Sequence, residues 1–186
     1  KHVIGGTFSS GQAVVESIAT LPTDTGEDEL YMVVKRTINS LTRKYVEKLK
    51  VFDFGSNTVN SFFVDSGLSY SGSSANTLSG LAHLKNESVQ ILGDGASHPN
   101  KTISANALTL DYPVTSAAVG FGFESSMQTL RVDSGSVDGT SQGKPKRIHA
   151  ITVRFFETVG AEVGNDSGEV DRIFFRDSSM DMDTAV

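Results

Sequence analysis

The stretch VVKRTINSLTRKYV, Val33 to Val46, decides the fold class, because two alternating runs meet there at the polar pair Asn39-Ser40. From Glu29 to Ile38, Leu30, Met32 and Val34 share one face while Tyr31 and Val33 share the other, which is the period of two of an extended strand. Thr42 to Lys50 supplies a second arm, so a β-hairpin is expected around Asn39-Ser40. If those two residues are the whole turn, Arg36 opposes Arg43 and Lys35 opposes Lys44, and like charges directly across a ladder repel. Either the turn is longer, or an acidic partner neutralises this end.

Working outward, the same signature repeats. Glycine is frequent (18 residues), tryptophan is absent, and short runs rich in Val, Ile, Thr, Phe and Tyr are punctuated by Gly, Ser, Asn or Asp. The chain is therefore expected to be all-β with little helix. Val14 to Leu21 reads as a strand, and the acidic segment from Thr23 to Asp28 as a solvated loop. The pattern weakens from Val51 to Gly67, where Phe52, Phe54, Phe62 and Phe63 lie among polar residues, and this marks a junction between two units. Beyond it, short strands are expected at Thr77 to Ser79, Ser88 to Leu92, Lys101 to Ser104, Ala107 to Leu110, Ala117 to Phe121 and Gln128 to Val132. Leu81 to Leu84 is too short for more than a helical turn, His98 beside Pro99 suits a turn, and Gly93-Asp94-Gly95 is a tight hairpin turn. Strands at this spacing predict a small β-barrel or sandwich, whose closure would remove exposed edges. Asp133 to Pro145 reads as a loop or a brief helix. Arg147 to Glu157 alternates as a strand, and a last apolar cluster lies at Ile173, Phe174 and Phe175. The expected organisation is a hairpin and sheet region over 1–60, a small barrel module over 61–135, and return strands over 136–186 that pack on the first region.

Composition narrows function. The 22 acidic against 16 basic residues, a net charge of −6, disfavour a surface devoted to nucleic acid. Without cysteine there is no disulfide framework, thiolate metal site or cysteine nucleophile. No stretch approaches the ~18 apolar residues of a membrane-spanning helix. The opening KHVIGGTF lacks an initiator Met and DMDTAV lacks a closing signal, so an excerpt of a longer polypeptide is expected.

Motifs of catalysis are not found. His2, His83, His98 and His149 share no i, i+2 or i, i+4 spacing of a metal pair. The serines lie in turns without a Gly-x-Ser-x-Gly elbow. The carboxylate pairs Asp24 and Glu27, Asp166 and Glu169, and Asp181 and Asp183 fall in polar segments, where solvated carboxylates are the default. Asp166 to Asp171 does not fit a calcium-loop register, and Gly5-Gly6 and Gly120-Phe-Gly122 lack the context of a dinucleotide site. No catalytic, cofactor or metal residue is therefore assigned. The remaining candidate is the basic hairpin end, Lys35, Arg36, Arg43 and Lys44. It reads either as a solvated strand end guarded by charge, or as a docking surface for an acidic partner or phosphates.

The order of motifs adds a resemblance. HVIGGTFSSGQAVVESIATLP, GEDELYMVVKRTINSLTRKYVEKL, FFVDSGLSYSG, TLSGLAHLKNESVQILGDGA, MQTLRV and KRIHAITVRFFETVGAEVG together resemble the family of phage tail proteins that includes tail tubular protein B. Asn39-Ser40 stands where an Asn-Gly turn is common in that family. The resemblance implies that the hairpin ends a β-propeller region, with a small barrel inserted into or packed beside it. It also implies a non-enzymatic virion protein at the tail nozzle, assembled in the host cytoplasm as a cyclic homo-oligomer. Neighbouring tail proteins would be its partners, and DNA would pass without sequence-specific binding. The alternative is a carbohydrate-binding or depolymerising host-adhesion module, with acidic loops and Tyr31, Tyr45, Tyr70 and Tyr112 contacting host-surface glycans. A host-encoded β-adhesin domain is a third reading; on the tail-assembly reading the basic hairpin end becomes a candidate subunit interface.

Overall fold

The structure, a computed structural model, describes residues 2–24, 26–50, 55–130, 145, 147–155, 161–166 and 168–173. The chain divides into two compact units, Lys1–Ser125 and Ser126–Val186. The first contains eleven of the described strands: β1 (His2–Val3), β2 (Thr7–Phe8), β3 (Gly11–Gln12), β4 (Val14–Leu21), β5 (Glu29–Ile38), β6 (Leu41–Lys48), β7 (Asp65–Ser79), β8 (Ser88–Gly93), β9 (Ala96–Thr102), β10 (Ala107–Phe121) and β11 (Glu124–Ser125). In the second, β12 (Ala161–Asp166) and β13 (Glu169–Ile173) form an antiparallel hairpin. The only described helical turns are 3-10 turns at Thr58–Asn60 and Ala82–Leu84, so the chain is all-β as its composition predicts.

Two sheets carry the first unit. One is an antiparallel meander of order β4-β5-β6, and the other has the order β7-β10-β8-β9, all antiparallel. The second sheet is not closed into the expected barrel: β7 and β9 remain at opposite edges. The spacing of strands in sequence sets their lengths, but closure needs matching stagger between the first and last strand, which spacing does not encode.

The apolar core gathers on the four-stranded sheet and the segments that connect its strands. Leu84, Val89, Ile103, Leu108, Val114 and Val119 are almost wholly buried, and Ile38 from the β5 end of the hairpin joins the same cluster. Each such side chain contributes roughly 1.5–3 kcal/mol relative to exposure. The hairpin is thereby part of the core of the first unit.

Three departures from the sequence reading have physical reasons. The long β7 was expected only at Thr77 to Ser79. Its Ser- and Gly-rich run has little apolar pattern, and it is extended because β10 pairs with it over most of its length. His98-Pro99 lies inside β9 and not in a turn, since β9 is an edge strand and an edge tolerates the missing proline N–H. The two strands expected at Ala107 to Leu110 and Ala117 to Phe121 are one, with register shifts around Val114 absorbing the intervening Pro113.

Alternation alone also failed at Gln128 to Leu130 and at residues 147–155, which are not strands. A period of two provides a face, whereas a strand also needs a partner ladder. Arg131, Val132, Phe156, Glu157, Phe174 and Phe175 lie outside the described residues, as does all of 133–145 except Pro145.

Candidate functional site

The hairpin closes by the tightest available route. Asn39 (φ 49°) and Ser40 (φ 63°) both take left-handed backbone, the conformation of a two-residue primed turn. The register follows: Arg36 opposes Arg43 and Lys35 opposes Lys44. The like-charge problem is therefore real, and acidic groups within the chain resolve it on both faces.

On the outer face, Glu16 bridges the two lysines, with its carboxylate oxygens 3.0 Å from Lys35 Nζ and 2.7 Å from Lys44 Nζ. The β4 register slips between Val15 and Ser17, and this bulge turns Glu16 toward the lysine face. Hydrogen bonds from Lys44 and then Lys35 hold the Glu16 carboxyl below its usual range. Phe8 of β2 lies beneath the Lys35 ammonium at 4.3 Å from its ring centroid.

On the inner face, Arg36 is completely buried. Its two terminal nitrogens both donate to the Glu47 carboxylate, the Nη2–Oε2 bond being 3.1 Å, and its Nε donates to the Gly5 carbonyl at 2.8 Å. The Phe121 ring lies 5.7 Å from the guanidinium carbon. Arg36 is thus corrected from a surface docking residue to an internal clamp that ties β5 and β6 to the N-terminal segment.

That clamp explains Gly5-Gly6. A Cβ on Gly5 would stand 2.6 Å from the Gly122 carbonyl oxygen and 2.7 Å from Phe121 Cβ. Gly6 has φ +86°, and a Cβ there would meet Arg36 Cδ at 2.9 Å. Only glycine lets this backbone run against β10 and the arginine stem. Asp65 completes the seat: its Oδ2 accepts from Gly5 N–H at 2.7 Å and lies 3.1 Å from His2 Nε2.

The turn itself is docked. Asn39 N–H donates to Glu87 Oε1 at 3.0 Å, Asn86 Nδ2 donates to Asn39 Oδ1 at 2.7 Å, and Tyr45 O–H donates to the His83 carbonyl at 3.2 Å. Of the four basic candidates, Arg43 and Lys44 are exposed and Lys35 is half-buried. The docking and the inward clamp are intramolecular features that local sequence spacing does not reveal.

Beside the clamp lies a groove of about 460 Å³, formed by the N-terminal segment, β3, the outer residues of β8 and β9, and the chain from Phe121 to Glu124. Gln12, Ser88, Gln90, Asn100 and Glu124 are its polar lining. The sequence reading passed over these residues. The signal that would have marked them is the alternation of β8, where Val89 and Ile91 are buried while Ser88 and Gln90 face out.

The other candidates disperse. His83 Nε2 lies 2.9 Å from the Ser66 carbonyl, His98 is buried against Tyr112, and His149 is exposed. No group of three or more His, Asp or Glu among the described residues has metal-binding geometry. Asp24, Glu27 and Glu169 are exposed, while the Asp166 side chain, Asp181 and Asp183 lie outside the described residues. The tyrosines are engaged within the chain: Tyr31 bonds Glu29, Tyr45 the His83 carbonyl, Tyr70 the Ser73 carbonyl at 2.6 Å, and Tyr112 stacks on His98. Fold and site thus define an all-β unit built of a three-stranded meander and a four-stranded sheet, with a clamped hairpin and a polar groove. No protein-family model matches the chain, and no curated protein matches it.

Proposed function

We propose that this chain is a structural virion module of a phage tail, a β-rich element of the nozzle that packs against copies of itself and neighbouring tail proteins around the DNA exit path. The resemblance in the order of its motifs motivates the reading. The observation that carries it is the outer face of the β4-β5-β6 sheet, where Val14, Leu21 and Val46 are 40%, 51% and 73% exposed. Exposed apolar side chains on an open face suit subunit packing. Arg43 and Lys44, exposed beside that face, would steer an acidic neighbour into register.

No helix among the described residues is long and apolar enough to cross a membrane. On this reading the protein assembles in the host cytoplasm into a cyclic ring and does no chemistry of its own. Native mass spectrometry and electron microscopy of the full-length protein test it. A closed ring, or incorporation into particles, supports the proposal; a strictly monomeric protein absent from virions overturns it.

A further inference from the structure

The polar groove has a chemistry that subunit packing does not require. Its side chains are carboxamides and a hydroxyl, from Gln12, Gln90, Asn100 and Ser88, and none of them hydrogen-bonds another side chain or backbone group among the described residues. Each carboxamide presents two donors and an acceptor in one plane, which matches the paired donor and acceptor character of neighbouring sugar hydroxyls. The apolar part of the lining is chiefly Phe123, half-buried and braced by the His2 ring at 4.1 Å between centroids, since Phe121 is buried in the core. Apolar surface beside a few polar groups is the usual build of a small-ligand site, and about 460 Å³ lies within the ~300–1,000 Å³ such sites occupy.

The backbone sets where the amides emerge. Gln90 projects from β8 and Asn100 from β9, where the register slips between Val89 and Ile91, and a bulge re-aims side chains toward one mouth. Gln90 lies directly over Gly122, so that a Cβ at Gly122 would occupy the space of its carboxamide. No Lys, Arg or His is among the described residues of the lining, so no cationic side chain there favours phosphate. Among the described residues Glu124 is the only carboxylate in the lining, and glycoside hydrolysis by the common route needs two.

We propose that this groove binds a neutral, hydroxyl-rich glycan segment of about disaccharide size, and binds it without cleaving it. The inference goes beyond the virion reading and is tested separately from ring formation. The isotopically labelled 186-residue chain is titrated, by amide NMR, with the methyl glycosides of glucose, galactose, mannose and N-acetylglucosamine, with maltose and cellobiose, and with inorganic phosphate as the anionic control. A neutral sugar is expected to shift the signals of residues 88–90, 100 and 121–124 in a saturable way. Gln90→Ala and Asn100→Ala, both at exposed side chains, are each expected to weaken that binding roughly five- to tenfold with an unchanged melting temperature. Saturable binding that survives both substitutions, tighter binding of phosphate, or no response to any neutral sugar at 50 mM (roughly the weak end of ligand affinity) overturns the proposal. New reducing ends released from the disaccharides overturn its non-cleaving part.

Discussion

Arg36 and Glu47 face each other across the hairpin with both guanidinium ends on one carboxylate, and the arginine is wholly enclosed. A buried cation tolerates the loss of its counter-charge poorly. Glu47→Gln is expected to cost about 3–5 kcal/mol of stability, and replacing both residues by methionine to recover most of it. Urea unfolding measures this. A single-substitution loss below about 1 kcal/mol would mean that the guanidinium does not depend on Glu47.

Ser40 holds left-handed backbone in a turn where glycine is at ease. Ser40→Gly is expected to stabilise the chain by roughly 0.5–1 kcal/mol, the relieved strain exceeding the added freedom of the unfolded chain. The denaturation midpoint should rise with no change in slope. A lower midpoint would show that the serine side chain has a role beyond the turn.

Asp94 ties the β8-β9 turn to β10. Its carboxylate accepts from Thr115 N–H at 3.0 Å, Thr115 O–H at 2.9 Å and Ser116 N–H at 2.8 Å. Partial burial pushes its pKa up, but the Ser116 and Thr115 donors together outweigh that and hold it below the usual value. Asp94→Ala is expected to cost about 1–2 kcal/mol, read by thermal unfolding, and to speed amide exchange at Thr115 and Ser116.

His98 makes stability depend on pH. The ring is buried against Tyr112 with neither nitrogen bonded among the described residues. Burial depresses its pKa; of the charged neighbours, Asp111 opposes this and Lys101 adds to it. The unfolded chain binds a proton near pH ~6.5 while the folded chain resists it to lower pH, so the unfolded state holds more protons between the two values. Stability should therefore fall as pH drops below about 6.5. His98→Phe, which keeps the stack on Tyr112, should flatten the melting temperature between pH 7.5 and 5; an unchanged slope would assign it to other groups.

Arg43 is the exposed member of the basic pair whose other half is Arg36. Arg43→Glu is expected to leave stability within about 0.5 kcal/mol while impairing ring formation by the full-length protein. Undiminished assembly would return this end to the status of a solvated strand edge. Reversing Arg36, by contrast, should unfold the hairpin.

Much of the fold could be read directly because it is written in local pattern. β4 and β5 begin and end where alternation says they should, and the Asp94-Gly95 turn follows from its residues. β7 was hidden because a Ser- and Gly-rich strand is specified by its partner and not by its own apolar period. Of the site, only the basic hairpin end was visible. The groove was not, because Gln12, Gln90 and Asn100 come from three separate strands, and the alternation of β8 marks Gln90 as outward-facing without showing what it meets.

Residue order alone establishes an all-β chain and a hairpin around Asn39-Ser40, with a choice between a longer turn and a conflict of like charges that some acid must relieve. These follow from side-chain period and turn chemistry, which act over a few residues. Which acid relieves each charge is decided only in three dimensions. Glu16 reaches the lysines through a bulge on one neighbouring strand, and Glu47 reaches Arg36 from the other, inside a core closed by Gly5 and Phe121. Burial converts one of four similar basic residues into an internal clamp, because a side chain's role follows from the face it is packed on and not from its charge.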